Sequence, residues 1–430
     1  FYRKSIEYMQ DTVGTQPSKW CAGCHDHAVF FNGRFDKPIR EQVETPEAQN
    51  GLGCVSCHSI SQVDSTMGNG GFTIEYPPLH ELASSRNRYI RALDNFLTYL
   101  DPEPHRRTFM KPFMTKDSSE FCSTCHKVHL DVPVNNYRWL RGFNDYDNWQ
   151  ASGVSGQGAR SFYYPPKSQT CADCHMPLVP SGDPGNRDGA VHSHRFAAAN
   201  TAVPHVNGDK AQLAETEKFL KSGFITVDLF AATPVREEAR HETRRQAGES
   251  TPALSTTFAT GEEADAGGAV FIREINDVAA PLNRMETSFR PGDTVRLDAV
   301  VRSRRIGHFF PGGTVDAFDI WLELIGKDAT GKIFFWNGKV ADDGAGPVDP
   351  AAHFYRAFLL DGESNHIDKR NAWQARSSLY VRLIPPGAAD TVHYKVRIPK
   401  DVKGPVTFEL KLNHRKFAHF YNQFAFRDSP

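Results

Sequence analysis

The 430-residue sequence contains no run of 18 or more apolar residues, so no segment has the make-up of a membrane-spanning helix. Its mean hydropathy of −0.50 is that of a chain facing water. It also lacks an excess of either charge, with 50 Lys and Arg against 51 Asp and Glu, which argues against a nucleic-acid surface or a polybasic membrane patch. Methionine is scarce: six residues, at 9, 67, 110, 114, 176 and 285. Cysteine is absent beyond position 174. The chain opens Phe1-Tyr2-Arg3-Lys4, without an initiator Met or the charged-then-apolar pattern of a signal peptide, so any export signal or anchor is expected to have been removed or to lie outside these residues. A length of 430 residues exceeds one ordinary core and suggests two domains.

The eight cysteines form four pairs spaced C-x-x-C, each followed at once by His, and none is left over. The motifs are Cys21-Ala22-Gly23-Cys24-His25, Cys54-Val55-Ser56-Cys57-His58, Cys122-Ser123-Thr124-Cys125-His126 and Cys171-Ala172-Asp173-Cys174-His175. This is the attachment signature of c-type haem: two thiols form thioethers with the porphyrin vinyl groups and the adjacent imidazole becomes the proximal iron ligand. A zinc site does not require His at the next position, a thioredoxin motif occurs once beside a βαβ pattern, and a disulfide framework would not place His after every second Cys. Four covalently attached haems are therefore expected, and attachment on exported apoprotein implies a periplasmic or extracellular location. Each haem adds two propionates, so the holoprotein would be more acidic than the chain, which suits a basic redox partner.

A haem that carries electrons fills its distal position with His or Met, and Met raises the potential relative to His. Beyond the proximal residues, the first 210 positions hold His27, His80, His105, His129, His192, His194 and His205, seven candidates for four places. This supply favours bis-His, low-spin, low-potential haems. The expected ligands are His105, His129, His194 and His80, in that order. His129 stands three residues past His126, too near to reach the far face of its own haem but able to serve a neighbour. His105 lies in Asp101-Pro102-Glu103-Pro104-His105, where prolines are expected to present the ring from a loop. His192 and His194 alternate in Val191-His192-Ser193-His194, one expected to ligate and the other to hydrogen-bond a propionate. His80 follows Tyr76-Pro77-Pro78-Leu79; His27 and His205 rank below it. Met110, Met114 and Met176 read as packing residues.

The haem region is expected to be helix and loop, with helical patterns at about residues 5–11 and 82–99 and a glycine-rich loop at 153–160. The expected division is a haem domain over 1–210, a connection with one strand and an exposed loop over 211–268, and an all-β antiparallel sandwich, Ig-like, over 269–430. Period-two runs place strands at Phe224–Phe230, Ala269–Ile275, Thr294–Arg302, Ala317–Ile325, Ile333–Trp336, Leu379–Leu383, Thr391–Ile398 and Val406–Leu412. This half is expected to hold no haem and to serve docking or assembly. His308, in Gly307-His308-Phe309-Phe310-Pro311-Gly312-Gly313, is expected to be a packed histidine at a sandwich corner, with ligation of a haem from the first domain as the competing reading.

The four motifs, above all Phe121-Cys122-Ser123-Thr124-Cys125-His126-Lys127-Val128-His129 and Cys171-Ala172-Asp173-Cys174-His175-Met176-Pro177, resemble those of multihaem cytochromes c, in particular the group related to the tetrahaem electron acceptor of hydroxylamine oxidoreductase. The stretch Ile306–Leu324 resembles the β-domain that follows the haem region in some exported members. The resemblance implies a packed haem chain, bis-His ligation and electron transfer between redox partner proteins. The Ser-x-His distal-ligand pattern after the first motif is absent here, so distal ligands do not carry over. Two alternatives stand beside the carrier: a subunit of an extracellular cytochrome filament or membrane-bound redox complex, self-associating through the β-domain, and an oxidoreductase acting on a small nitrogen compound at a five-coordinate haem.

Overall fold

The two longest helices of the first half are amphipathic, and short ones end at the cysteine motifs. The computed structural model describes residues 1–75, 80–116, 118–132, 134–158, 164–183, 186, 188–235 and 278–427, and of residues 80 and 81 the backbone alone. The expected strand Ala269–Ile275, most of the expected connection to residue 268, the stretch before His80 and that residue's ring lie outside the described residues.

The first helix, Tyr2–Val13, runs past the expected 5–11 and stops at Gly14, whose φ of 89° favours glycine and whose N–H returns to the Gln10 carbonyl. It buries Ser5, Ile6 and Met9, residues at helical spacing on one face. Ile6 packs with Ala22, Val29, Phe35, Ile39 and Ala48 in a small core. The pattern expected over 82–99 is split into His80–Ala83 and Arg88–Leu100, because Asn87 breaks the run and caps the second helix by accepting from the Tyr89 N–H at 2.9 Å. His105 lies on a helix, Glu103–Phe109, not on a loop. The prolines that suggested a loop stand at its start, where a missing N–H costs nothing. Three short hairpins follow cysteine motifs: β1 (Ile60–Val63) with β2 (Phe72–Ile74), β3 (Lys127–Leu130) with β4 (Leu140–Asn144), and β5 (Leu178–Pro180) with β6 (Ala190–His192).

The second half is built of small antiparallel sheets. β7 (Ile225–Pro234), β8 (Thr294–Ser303) and β13 (Ala389–Arg397) form one in the order β13-β8-β7; β9 (Asp319–Lys327), β10 (Ile333–Asn337) and β14 (Thr407–Arg415) form another in the order β10-β9-β14; β11 (Ala357–Leu360) pairs with β12 (Ser377–Val381). Alternate residues of β8 (Val295, Leu297, Ala299, Val301) and β13 (Val392, Tyr394, Val396) enter one core with Ile320, Leu322 and Leu324 of β9. Each Val, Leu or Ile side chain so buried contributes about 1.5–3 kcal/mol. β9 is covered on its other face too, where Trp321 packs on Val348, Ala352 and Phe354, which explains its near-continuous apolar run.

The halves are in close contact. Phe1 stacks on Phe417 with centroids 3.5 Å apart, Ser5 Oγ donates to the Lys369 carbonyl at 2.8 Å, and Met9, Leu130 and Trp373 share one apolar cluster. The glycine-rich segment near residue 153 is packed where it is described: Val154 and Ser155 are buried, and a Cβ at Gly158 would lie 2.0 Å from the Ala151 carbonyl oxygen.

Candidate haem-attachment site

Each C-x-x-C-H motif closes a helix: Thr15–His25, Cys54–His58, Ser118–His126 and Cys171–His175. Positions i, i+3 and i+4 share one helical face, so both thiols and the imidazole of a motif are presented together, as thioether attachment beneath an iron requires. The shortest helices are held by local devices. At Cys171–His175 a capping box joins Thr170 and Asp173, and Ser119 of the preceding motif's helix accepts from the Cys171 N–H at 3.2 Å.

The four motifs converge on the third. Cys125 lies close enough to Cys24 of the first motif and Cys57 of the second to perturb both thiols, as Cys122 and Cys171 of the fourth perturb one another. Burial pushes the Cys57 thiol up to about 11, whereas the neighbouring thiols of Cys24 and Cys122 shift Cys125 and Cys171 down. Haems attached at motifs so arranged would be neighbours.

Two pairs of imidazoles face one another. His58 of the second motif and His194 have ring centroids 6.1 Å apart, and His175 of the fourth motif and His308 have theirs 6.3 Å apart with planes within 12°. Two metal–nitrogen bonds of about 2.0 Å, plus about 1.1 Å from each nitrogen to its ring centre, put bis-imidazole centroids roughly 6.2 Å apart. The hydrogen bonds agree with that spacing. Nδ1 of His58 donates to the Phe109 carbonyl at 3.0 Å, and those of His194, His175 and His308 to the carbonyls of His192, Ala197 and Phe309, each at 2.9 Å. A carbonyl only accepts, so in all four rings Nδ1 bears the proton and the Nε2 lone pair is left to bind a metal.

The other two proximal candidates are braced differently. The His126 Nδ1 lies 3.7 Å from Asp145 Oδ2, an electrostatic contact that raises the basicity of the imidazole. The His25 ring stacks on Tyr2 with centroids 4.5 Å apart. Of the remaining candidates, His129 sits on β3 against Trp139 at 5.8 Å, and His105 lies tilted against Phe109 at 4.6 Å. His192, the last residue of β6, bonds the Met176 carbonyl through Nδ1 at 2.6 Å. His27 is buried between Phe31 and Phe72, and His205 is exposed on the helix Ala202–Val206. Among the described residues no group of three or more His, Cys, Asp or Glu is gathered as a metal site.

No family model and no curated protein matches the chain. Among solved structures it is similar to a penta-heme cytochrome c552 from Thermochromatium tepidum, at 14% identity and a TM-score of 0.46, covering 95% of this chain and 79% of that chain. At that likeness neither fold detail nor function transfers.

Two positions gain weight from the structure. His308 reads in the sequence first as a packed residue and second as a haem ligand, and the signal for the second reading was its bracket of glycines: Cβ atoms would lie 3.1 Å from Val154 Cγ1 at Gly307, and 2.6 Å from the His308 ring at Gly312. Asp145 gave no motif at all, since its tie to His126 is made by the fold.

Proposed function

We propose that this chain is an extracytoplasmic tetrahaem c-type cytochrome that passes electrons between redox partner proteins through bis-His haems. The observation that carries the reading is the His58–His194 pair: a motif imidazole and a second imidazole face each other at 6.1 Å with both Nδ1 protons spent on carbonyls. Cys54 and Cys57 with His58 would hold the second haem, and the equivalent triads Cys21, Cys24, His25; Cys122, Cys125, His126; and Cys171, Cys174, His175 would hold the others. Bound there, haem supplies a one-electron couple. The protein's part is to hold the imidazoles, fix their tautomers and bring the four attachment points together around the third motif. His105, His129, His192 and His80 stay as distal candidates for the remaining irons.

The β region, taken as an Ig-like sandwich over 269–430 to which β7 adds a strand, contributes contacts in place of thioethers, having no cysteine. Self-association through it would make the chain a subunit of a filament or larger complex. The reading is tested by recording ferric spectra of the purified holoprotein with and without nitrite, nitric oxide or hydroxylamine. An electron carrier gives low-spin haem that these compounds leave unchanged. A high-spin population that shifts on their addition would make the chain an enzyme instead.

A further inference from the structure

We propose that His308, from the β region, is the distal ligand of the iron attached at the fourth motif. The inference rests on the four-haem reading above and extends it: the β region would complete a redox centre as well as cover one. Its basis is spacing and protonation together. Separation alone does not single the pair out, since the near-parallel rings of Tyr421 and Phe424 also stand 6.2 Å apart; two imidazoles at that separation with both Nδ1 atoms engaged do. The near-parallel rings of His175 and His308 stand 6.3 Å apart, which leaves room for one metal atom joined to both. Their Nδ1 atoms both donate to carbonyls, at 2.9 Å, so both Nε2 atoms are in the ligating form.

The loop bearing His308 is held from two sides, as a ligand supplied across a domain contact must be. Toward the β region, Phe310 and Ile384 exchange backbone hydrogen bonds of 2.9 and 2.7 Å. Toward the haem region, Gly307 lies so close to Trp149 and Val154 that a Cβ would come within 3.3 and 3.1 Å of them, and the Gly313 N–H donates to Asp145 Oδ1 at 3.2 Å. Gly312 admits no side chain, because its Cβ would lie 2.6 Å from His308 Cε1 and 2.8 Å from Nδ1. Asp145 meanwhile approaches His126 with its other oxygen, so one carboxylate braces the third motif's imidazole and the loop that serves the fourth. Docking of the β region then sets the coordination of one haem in four.

The test uses full-length holoprotein carrying His308→Ala, with covalent haem counted by intact mass and spin state read by electron paramagnetic resonance. The expected result is an unchanged count of four haems, about a quarter of the ferric haem turned high-spin, return of the low-spin signal when imidazole is added, and a low-spin haem of raised potential in His308→Met. Four haems that all stay low-spin in His308→Ala would overturn the inference and leave the carrier reading standing. Fewer than four haems in the unaltered protein would overturn the carrier reading itself. If His308→Ala does not accumulate, His308→Met decides alone: one haem raised in potential supports ligation, and four unchanged potentials refute it.

Discussion

Changing His194 to Ala removes the imidazole facing His58 and touches no cysteine, so haem attachment and coordination are separated in one variant. The ring it deletes is held by its Nδ1 on the His192 carbonyl at 2.9 Å and stands 6.1 Å, centre to centre, from a proximal ring whose own Nδ1 is held on Phe109. Alanine cannot reach the iron, and the nearest other imidazole in sequence, His192, is tied at 2.6 Å to the Met176 carbonyl. Breaking that tie and turning β6 would cost about 0.5–1.5 kcal/mol for the hydrogen bond alone. The second iron should therefore become five-coordinate: one haem of the four, or about a quarter of the ferric signal, moves from low to high spin while three keep their spectra. His194→Met should restore low spin at a higher potential. Electron paramagnetic resonance with a redox titration reads both effects. If all four haems of His194→Ala stay low-spin, and still do so when His192 is also changed to Ala, the facing-pair argument is wrong.

Two further outcomes concern the β region. Asp319 is 3% exposed and is clasped by Arg356 at 3.2 Å and by Arg415 at 2.8 Å, so Asp319→Ala leaves two part-buried cations unpaired and should destabilise this region by about 3–5 kcal/mol, read as faster hydrogen exchange along β9 and β14. A loss below about 1 kcal/mol would show the network to be incidental. Burial lowers His414 to about 4 and its Nε2 has no partner, so the folded state prefers the neutral ring. The stability this gives is present above the unfolded value near pH 6.5 and is lost as the pH falls toward 4, by up to about 3 kcal/mol. His414→Phe should flatten that part of the stability curve, and an unchanged slope would place the dependence elsewhere.

What could be read from the sequence was what is local in it. The C-x-x-C-H spacing is a one-turn relation, so it named the candidate attachment residues; the helices that end at each motif were not expected and came from the structure. Apolar runs located β8, β9, β13 and β14 to within a few residues, alternating where one face enters the shared core and near-continuous in β9, which is covered on both. β11 was missed, since Ala357-Phe358-Leu359-Leu360 does not alternate. The prolines around His105 were read as loop-forming when they open a helix. Facing imidazoles are a different kind of fact. Nothing in the spacing of His58 and His194, or of His175 and His308, marks them as pairs; Phe109, Ala197 and the Gly307–Gly313 loop bring them together. The same holds for Asp145, whose two oxygens reach residues of separate regions.

The central claim is that all eight cysteines are spent on haem. Intact mass spectrometry of the denatured holoprotein tests it most directly, because thioethers survive denaturation while ligated metals do not. The account predicts a mass above that of the polypeptide by four haems, with no free thiol. An excess of three haems or fewer, or zinc bound at the C-x-x-C pairs of the native protein, would contradict it.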